Sequence, residues 1–329
     1  MPISLPCTEL SGGKVCGGDI TLIEGFGKGL TFRLGIASRI RMKARQLCFL
    51  LAAMIFPSLQ VFADSPVTFE VVATFRGPGS SAAVANVIND LGDVGGWCPL
   101  QHSTVGGFIR LHNGHFTDPI TEPDGTGATY IGGLNNTGTA SGYYETDTGV
   151  AGFLYSGGAF TTISVDPVYT YVAKVNDAGN YCGSTLSGAF VSIDGTLTTF
   201  SVNRGAAGAE GINNLDQVVG GYYVDGINYG YLRDADGTLH FPYGVPGNWF
   251  TTLRDINDAG LMVGTTAGDT GTQGVVFRSP GSYALYTYPG GGATSFTGIN
   301  NRGLMCGYYL DDKNDAHAFI VRMRPATGE

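Results

Sequence analysis

Two charged residues interrupt an otherwise small or neutral pattern: Glu210, in GAEGINN, and Arg254, in TLRDIND. Each stands two positions before an apolar residue that opens a recurring Asn-Asp or Asn-Asn turn. The matching positions elsewhere are Asn86, Gly132, Ala173 and Thr297. A carboxylate and a guanidinium from neighbouring segments can grip a carboxylate or hydroxylated ligand, or can simply pair with each other. Asn86 and Thr297 add short polar groups at the same level. Tyr169, Tyr171, Trp249 and Phe250 add aromatic faces beside these acids. Such faces suit sugar rings, whose C–H surfaces stack on them; packing between repeated segments is their other use.

Asp311, Asp312, Asn314 and Asp315, in YLDDKNDAHAF, gather the oxygens that calcium takes, but their spacing matches no EF-hand loop and suits a solvated turn. They are the weak metal candidates. DADG at 234–237 reads as a hairpin turn. The histidines, His102, His112, His115, His240 and His317, form no ligand-spaced pair beyond HNGH. There is no GxSxG, HExxH, P-loop or dinucleotide fingerprint, and no cofactor is indicated. Paired carboxylates for glycoside cleavage are a matter of spatial separation, which spacing along the chain leaves open.

Whatever positions these residues is repeated. VINDLGDVGGW, GLNNTGTASGYY, KVNDAGNYCGST, GINNLDQVVGGYY, DINDAGLMVGTT and GINNRGLMCGYY say nearly the same thing six times. Their apolar anchors are Ile88, Leu134, Val175, Ile212, Ile256 and Ile299, separated by 46, 41, 37, 44 and 43 residues. A period near 42 suits a four-stranded propeller blade better than a solenoid coil. Residues 170–202 show the unit: TYVAKV, YCGSTL, GAFVSI and LTTFSV are strands rich in Val, Thr, Tyr and Phe, separated by NDAG and DG turns. Gly142, Gly183, Gly220, Gly264 and Gly307 fall inside second strands, which signals close backbone approach. Asn89, Asn135, Asn176, Asn213, Asn257 and Asn300 recur at one place, as turn-locking side chains or as a set of amides around a channel. The last repeat has three strands, and PVTFEVVATFRGPG near the start reads as its missing fourth. The expected fold is therefore all-β, a six-bladed β-propeller of four-stranded blades closed by the N-terminal strand of the mature chain.

The chain has 329 residues. MKARQLCFLLAAMIFPSLQVFADSP, from Met42, has a basic start, a short apolar run and a small-residue site at Val61-Phe62-Ala63, the pattern of a secretory signal peptide. The expected organisation is an unstructured leader over 1–41, read as a start assigned too far upstream with a real extended leader as the alternative, a signal peptide over 42–63 and one domain over 64–329. Cleavage takes seven basic and three acidic residues from totals of 18 and 27, leaving 11 and 24, a net of −13. Such a surface repels phosphate backbones, so nucleic acid is not an expected partner, and no later apolar run spans a membrane. Cys98, Cys182 and Cys306 remain. They read as small buried hydrophobes, with a bridge between one pair as the alternative.

Phe108, Phe153, Phe190, Tyr231 and Phe319 head the third strands in GGF, AGF, GAF, YGY and HAF. Repeats of GINNxGxVVGxY followed by a small-small-aromatic strand resemble the HAF-repeat family of extracellular bacterial proteins, and His317-Ala318-Phe319 matches the motif itself. The resemblance covers residues 67 to 323 and implies the fold and export; only the sixth repeat keeps the His. Three functions fit: a non-catalytic binding module for an extracellular glycan or protein, a secreted polysaccharide hydrolase or lyase with its site on the channel face, or a structural surface protein. Secretion or release to the periplasm is expected to leave Asp64 as the first residue; N-terminal sequencing of protein recovered outside the cytoplasm checks this, and an intact Met1 or Met42 start in a folded cytosolic pool contradicts it.

Overall fold

A computed structural model describes residues 67–100 and 104–325, preceded by two short strands, Thr8–Leu10 and Gly13–Val15. These two pair antiparallel within residues 1–60, and are the described part of the stretch expected to be an unstructured leader. The signal-peptide segment and its cleavage site lie outside the described residues. Among the described residues every regular element is a strand, and no helix is long and apolar enough to cross a membrane.

The third repeat follows the sequence closely. Thr170–Val175, Tyr181–Thr185, Gly188–Ile193 and Thr196–Phe200 form a four-stranded antiparallel sheet in chain order. The hairpin between its last two strands turns on Asp194 and Gly195 alone, both at positive φ (47° and 76°). This is the conformation that matches the twist of the flanking strands and that Asp-Gly adopts readily. The second repeat has the same four-stranded order. The sheets of the fourth and fifth repeats are linked by one parallel pairing, Asn228 with Phe250. In the first repeat three strands are continuous, and bridges from Gly107 to Ile120 and Arg110 to Phe116 occupy the fourth place. In the sixth, Val67–Phe75 fills the fourth place. It pairs antiparallel with Ala316–Pro325, from Phe75 opposite Ala318 to Val67 opposite Pro325.

The core lies between neighbouring sheets. One cluster joins Ala173, Cys182 and Val191 of the third repeat to Ala209, Val218 and Tyr231 of the fourth; another joins Cys306, Ala318 and Ile320 of the sixth to Ala85, Val94 and Phe108 of the first. Phe108, Phe153, Phe190, Tyr231 and Phe319 are all fully buried. Burial falls from first strands to fourth: Thr170–Val175 is almost wholly enclosed, whereas Thr196–Phe200 is mostly exposed. Cys98, Cys182 and Cys306 are free and fully buried, so no pair is bridged. Burial pushes the Cys98 thiol up to about 11 and that of Cys306 up to about 12, which keeps both in the unreactive thiol form.

Deleting residues 64–75 removes the strand that completes the sixth repeat and leaves the Ala316–Pro325 ladder open. Phe69 and Phe75, both partly buried, leave with it. The expected loss is about 2–4 kcal/mol, below the value for two fully buried rings, with self-association through the bared edge. Urea denaturation and size-exclusion chromatography check both; an unchanged midpoint in a monomeric protein would show that this strand contributes little.

Candidate functional site

The site is built by one local irregularity, used six times. In every repeat the first strand shifts register by one residue against the second. The shifts fall between Ala85 and Val87, Ile131 and Gly133, Val172 and Lys174, Ala209 and Gly211, Leu253 and Asp255, and Phe296 and Gly298. The extra residues are Asn86, Gly132, Ala173, Glu210, Arg254 and Thr297. A bulge re-aims a side chain out of the ladder, and all six of these residues line one cavity of about 450 Å³. The bulge also explains the second-strand glycines. At Gly96, Gly142, Gly183, Gly220, Gly264 and Gly307 an added Cβ would fall on a first-strand carbonyl oxygen two residues before the bulge, that of Tyr171 in the case of Gly183. In five of the six it would also meet the third-strand aromatic ring. The close approach expected from these glycines is present, and the turned carbonyl causes it.

Glu210 and Arg254 form an ion pair, Arg254 Nη1 donating to Glu210 Oε2 at 2.9 Å, with side chains 19% and 37% exposed. The Glu210 carboxylate raises the Arg254 pKa, which holds the guanidinium charged. The Tyr171 hydroxyl donates to the same Oε2 at 3.5 Å; burial, and then Glu210, raise its pKa well above the ordinary phenol value. Asn86 donates to the Ile131 carbonyl at 2.8 Å and Thr297 to the Ala85 carbonyl at 2.6 Å, so both tie adjacent repeats together at the bulge. Tyr169 is half-buried off the cavity wall, yet close enough to Glu210 for the carboxylate to raise its pKa, after burial. Trp249 does not join them. It is 52% exposed and absent from the wall, and its carbonyl accepts the Asn228 N–H. The aromatic residues that do line the cavity are Tyr171, Trp97 and Tyr308. Trp97 and Tyr308 follow the second-strand glycine directly, a place the sequence marked without showing where its side chain points.

The floor is a buried ion pair. Lys174 Nζ lies 3.2 Å from Asp255 Oδ2 and donates to the carbonyls of Asn86 at 2.7 Å and Thr297 at 3.1 Å. Asp255 Oδ2 also accepts the Ile299 N–H at 3.0 Å, and both side chains are 7% exposed. Lys174 lines the large cavity and also, with Asp255, a second one of about 70 Å³ walled by the asparagine turns. Sequence reasoning missed this pair, although the signal is there: the corresponding residues in the other repeats are Val87, Gly133, Gly211 and Gly298.

Around the small cavity the six asparagines do both things expected of them. Asn135 Oδ1 accepts the N–H groups of Thr137 and Thr139, locking its own turn. Its Nδ2 donates to the carbonyl of Asn176, and the series runs from Asn89 through Asn135, Asn176, Asn213, Asn257 and Asn300 back to Asn89, at 2.9–3.3 Å. A second cycle lies beside it at the next position. There Asp90, Asn136, Asp177, Asn214, Asp258 and Asn301 each donate a backbone N–H to the following side chain's Oδ1. Aspartate alternates with asparagine, so amides stand between carboxylates: Asn301 Nδ2 donates to both Asp90 and Asp258.

Among the described residues no group of three or more His, Cys, Asp or Glu side chains is placed to hold a metal. Asp311 instead accepts the N–H groups of Lys313 and Asp315 and lies 2.9 Å from His317 Nε2. The His317 hydrogen bond leads in holding its carboxyl down at about 2. Depression means that its contribution to stability is complete above the ordinary aspartate range, near pH 4, and is lost as the pH falls through 2.

Fold and site together define an all-β protein of repeated antiparallel sheets with a cavity walled by every repeat. No family model matches the chain, and no curated protein matches it. Two solved structures are similar to it: a luciferin-regenerating enzyme (TM-score 0.44, 13% identity, 78% of this chain and 95% of that one) and an Aleuria aurantia lectin in complex with Fucalpha1-6GlcNAc (TM-score 0.45, 10% identity, 73% of this chain and 91% of that one).

Replacing Lys174 by Met strands the Asp255 carboxylate in the interior, where desolvation already raises its pKa. The expected loss is about 3–5 kcal/mol near neutral pH. A carboxyl whose folded pKa lies above its unfolded value loses stability as the pH rises through the folded value, so the deficit should be larger at about pH 8 than at about pH 5. Urea denaturation of parent and variant at the two pH values measures it; an equal deficit at both would remove Asp255 ionisation from the cause.

Proposed function

We propose that the chain is an exported, secreted or periplasmic, closed six-bladed β-propeller of the HAF-repeat kind, acting as a non-catalytic binding module for an extracellular glycan or protein. Two observations support closure over six blades. The amide cycle returns from Asn300 to Asn89, and alternation of Asp with Asn avoids two like neighbours only when the number of repeats is even. The observation that carries the function is the cavity of about 450 Å³. It falls within the roughly 300–1,000 Å³ of small-ligand clefts and presents a few polar groups among aromatic ones. The bulge residue on its wall differs in every repeat (Asn86, Gly132, Ala173, Glu210, Arg254, Thr297), at a position that leaves the ladder and so leaves the fold intact.

The polysaccharide hydrolase has less support. Glycoside cleavage in its usual form takes two carboxyl groups flanking the bond. Among the described residues Glu210 is the one carboxylate on the cavity wall and no second joins it there; Asp255 lies below, engaged by Lys174 and the Ile299 N–H.

The test is a combined glycan-array, extracellular-protein and polysaccharide-degradation screen on residues 64–329, repeated with variants. Glu210→Ala, which leaves Arg254 unpaired at a cost of roughly 1–3 kcal/mol, and Trp97→Ala, which removes a ring face from the wall, are each expected to weaken capture of a hit about tenfold or more. Trp249→Ala should leave capture unchanged, and melting temperatures should shift little. Hits insensitive to Glu210 and Trp97, or degradation of a polysaccharide, would overturn this reading.

A further inference from the structure

The walls of the cavity are unlike. On the side of the first three repeats the bulge residues Gly132 and Ala173 are small, and Trp97 and Tyr171 line the same cavity. Trp97 and Tyr171 are the ends of a row of four: Trp97 to Tyr130 at 5.4 Å between centroids, Tyr130 to Tyr143 at 4.6 Å, Tyr143 to Tyr171 at 4.9 Å. Rings that hold one another have little freedom left to lose when a ligand arrives. On the side of the fourth and fifth repeats stand Glu210 and Arg254.

The hydrogen-bond capacity of that pair is unevenly used. Among the described residues Glu210 engages Oε2 alone, and Arg254 uses a single Nη1 donor. The carboxylate therefore keeps an acceptor oxygen and the guanidinium keeps donors, side by side. A group that both donates and accepts across neighbouring atoms, such as a vicinal diol, satisfies both. The charges on the wall are already balanced: Arg254 by Glu210 at 2.9 Å, and Lys174 by Asp255 at 3.2 Å. A carboxylate ligand would have to compete with Glu210 for Arg254, and an ammonium ligand with Arg254 for Glu210. Neither finds an uncompensated partner, and desolvating a charge without one is costly.

From this we infer that the ligand is an uncharged saccharide residue, its C–H face against Tyr171 and Trp97 and an adjacent pair of hydroxyls on Glu210 and Arg254. This rests on the cavity being the ligand site. The chain has two tryptophans, and Trp249 is exposed and off the wall, so Trp249→Phe leaves Trp97 as the sole tryptophan and a reporter inside the cavity. That protein is titrated with glucose, galactose, mannose, N-acetylglucosamine, lactose and cellobiose, and with glucuronate, galacturonate and glucosamine as charged counterparts. The expected result is a saturable change in Trp97 emission with at least one neutral sugar, and a response at least tenfold weaker to its charged counterpart. Glu210→Gln and Arg254→Lys in the same background should each weaken the neutral response about tenfold or more, with the melting temperature of each variant confirming folding. A charged sugar binding as tightly as its neutral counterpart, or a neutral response indifferent to both variants, overturns the inference. No response to any sugar overturns it too, while a protein hit that depends on Glu210 and Trp97 in the screen above would leave the cavity itself standing as the site.

Discussion

A buried amide ties each repeat to the next. The asparagine at the end of the first strand closes its own turn with Oδ1 and reaches the main-chain carbonyl of the next asparagine with Nδ2, as from Asn176 to Asn213 at 3.0 Å. Such a bond contributes only about 1 kcal/mol net, but breaking it leaves buried polar groups unsatisfied at a cost of roughly 1–3 kcal/mol. Six buried asparagines therefore hold six first strands at a common height. Everything at a fixed offset from them, the bulge three residues upstream included, lands at a common level. A cavity walled by every repeat follows from that registration.

Each first strand thus has two ends with different duties. At the turn end the chemistry is nearly constant: Asn, then Asp or Asn in alternation, then the turn. At the bulge end it is free to vary, because a bulged residue makes no paired ladder contact and its side chain leaves the sheet. The constant part is paid for opposite it, by the second-strand glycine under the first-strand carbonyl and, in five of the six repeats, by the third-strand aromatic packed against that glycine. Asn, Gly, Ala, Glu, Arg and Thr can all stand at the bulge without disturbing this arrangement. The fold does not specify what is bound; under the proposed function, the bulge residues do.

Lys174 and Asp255 complete the site from below. Two charges at 7% exposure would be a liability by desolvation alone. They are tolerated because the lysine has three acceptors, Asp255, the Asn86 carbonyl and the Thr297 carbonyl, and the aspartate has the Ile299 N–H as well. The pair and its partners together come from four of the six repeats, and two of the partners are carbonyls of bulge residues. Lys174 lines both cavities, and through it the pair braces two of the bulges that line the larger one.

The sequence by itself determined the repeat, its period, the strands of each unit and the place of the first strand beside the last. Those properties are local: alternating apolar runs, Asn-Asp and Asp-Gly turns, and a strand missing at one end and supplied at the other. It also marked Glu210 and Arg254, because repetition makes a departure visible, and the same comparison would have marked Lys174 and Asp255. What tertiary structure alone decided is direction and proximity. Side chains alternate along a regular strand, and a single inserted residue changes which of them face the cavity; the register shifts that do this depend on pairing with a partner strand. Hence Trp97 and Tyr308 stand on the wall while Trp249, which the sequence made the more prominent, stands in solvent. Lys174 and Asp255 are 81 residues apart in the chain, and only the packing of the sheets brings their charges within 3.2 Å.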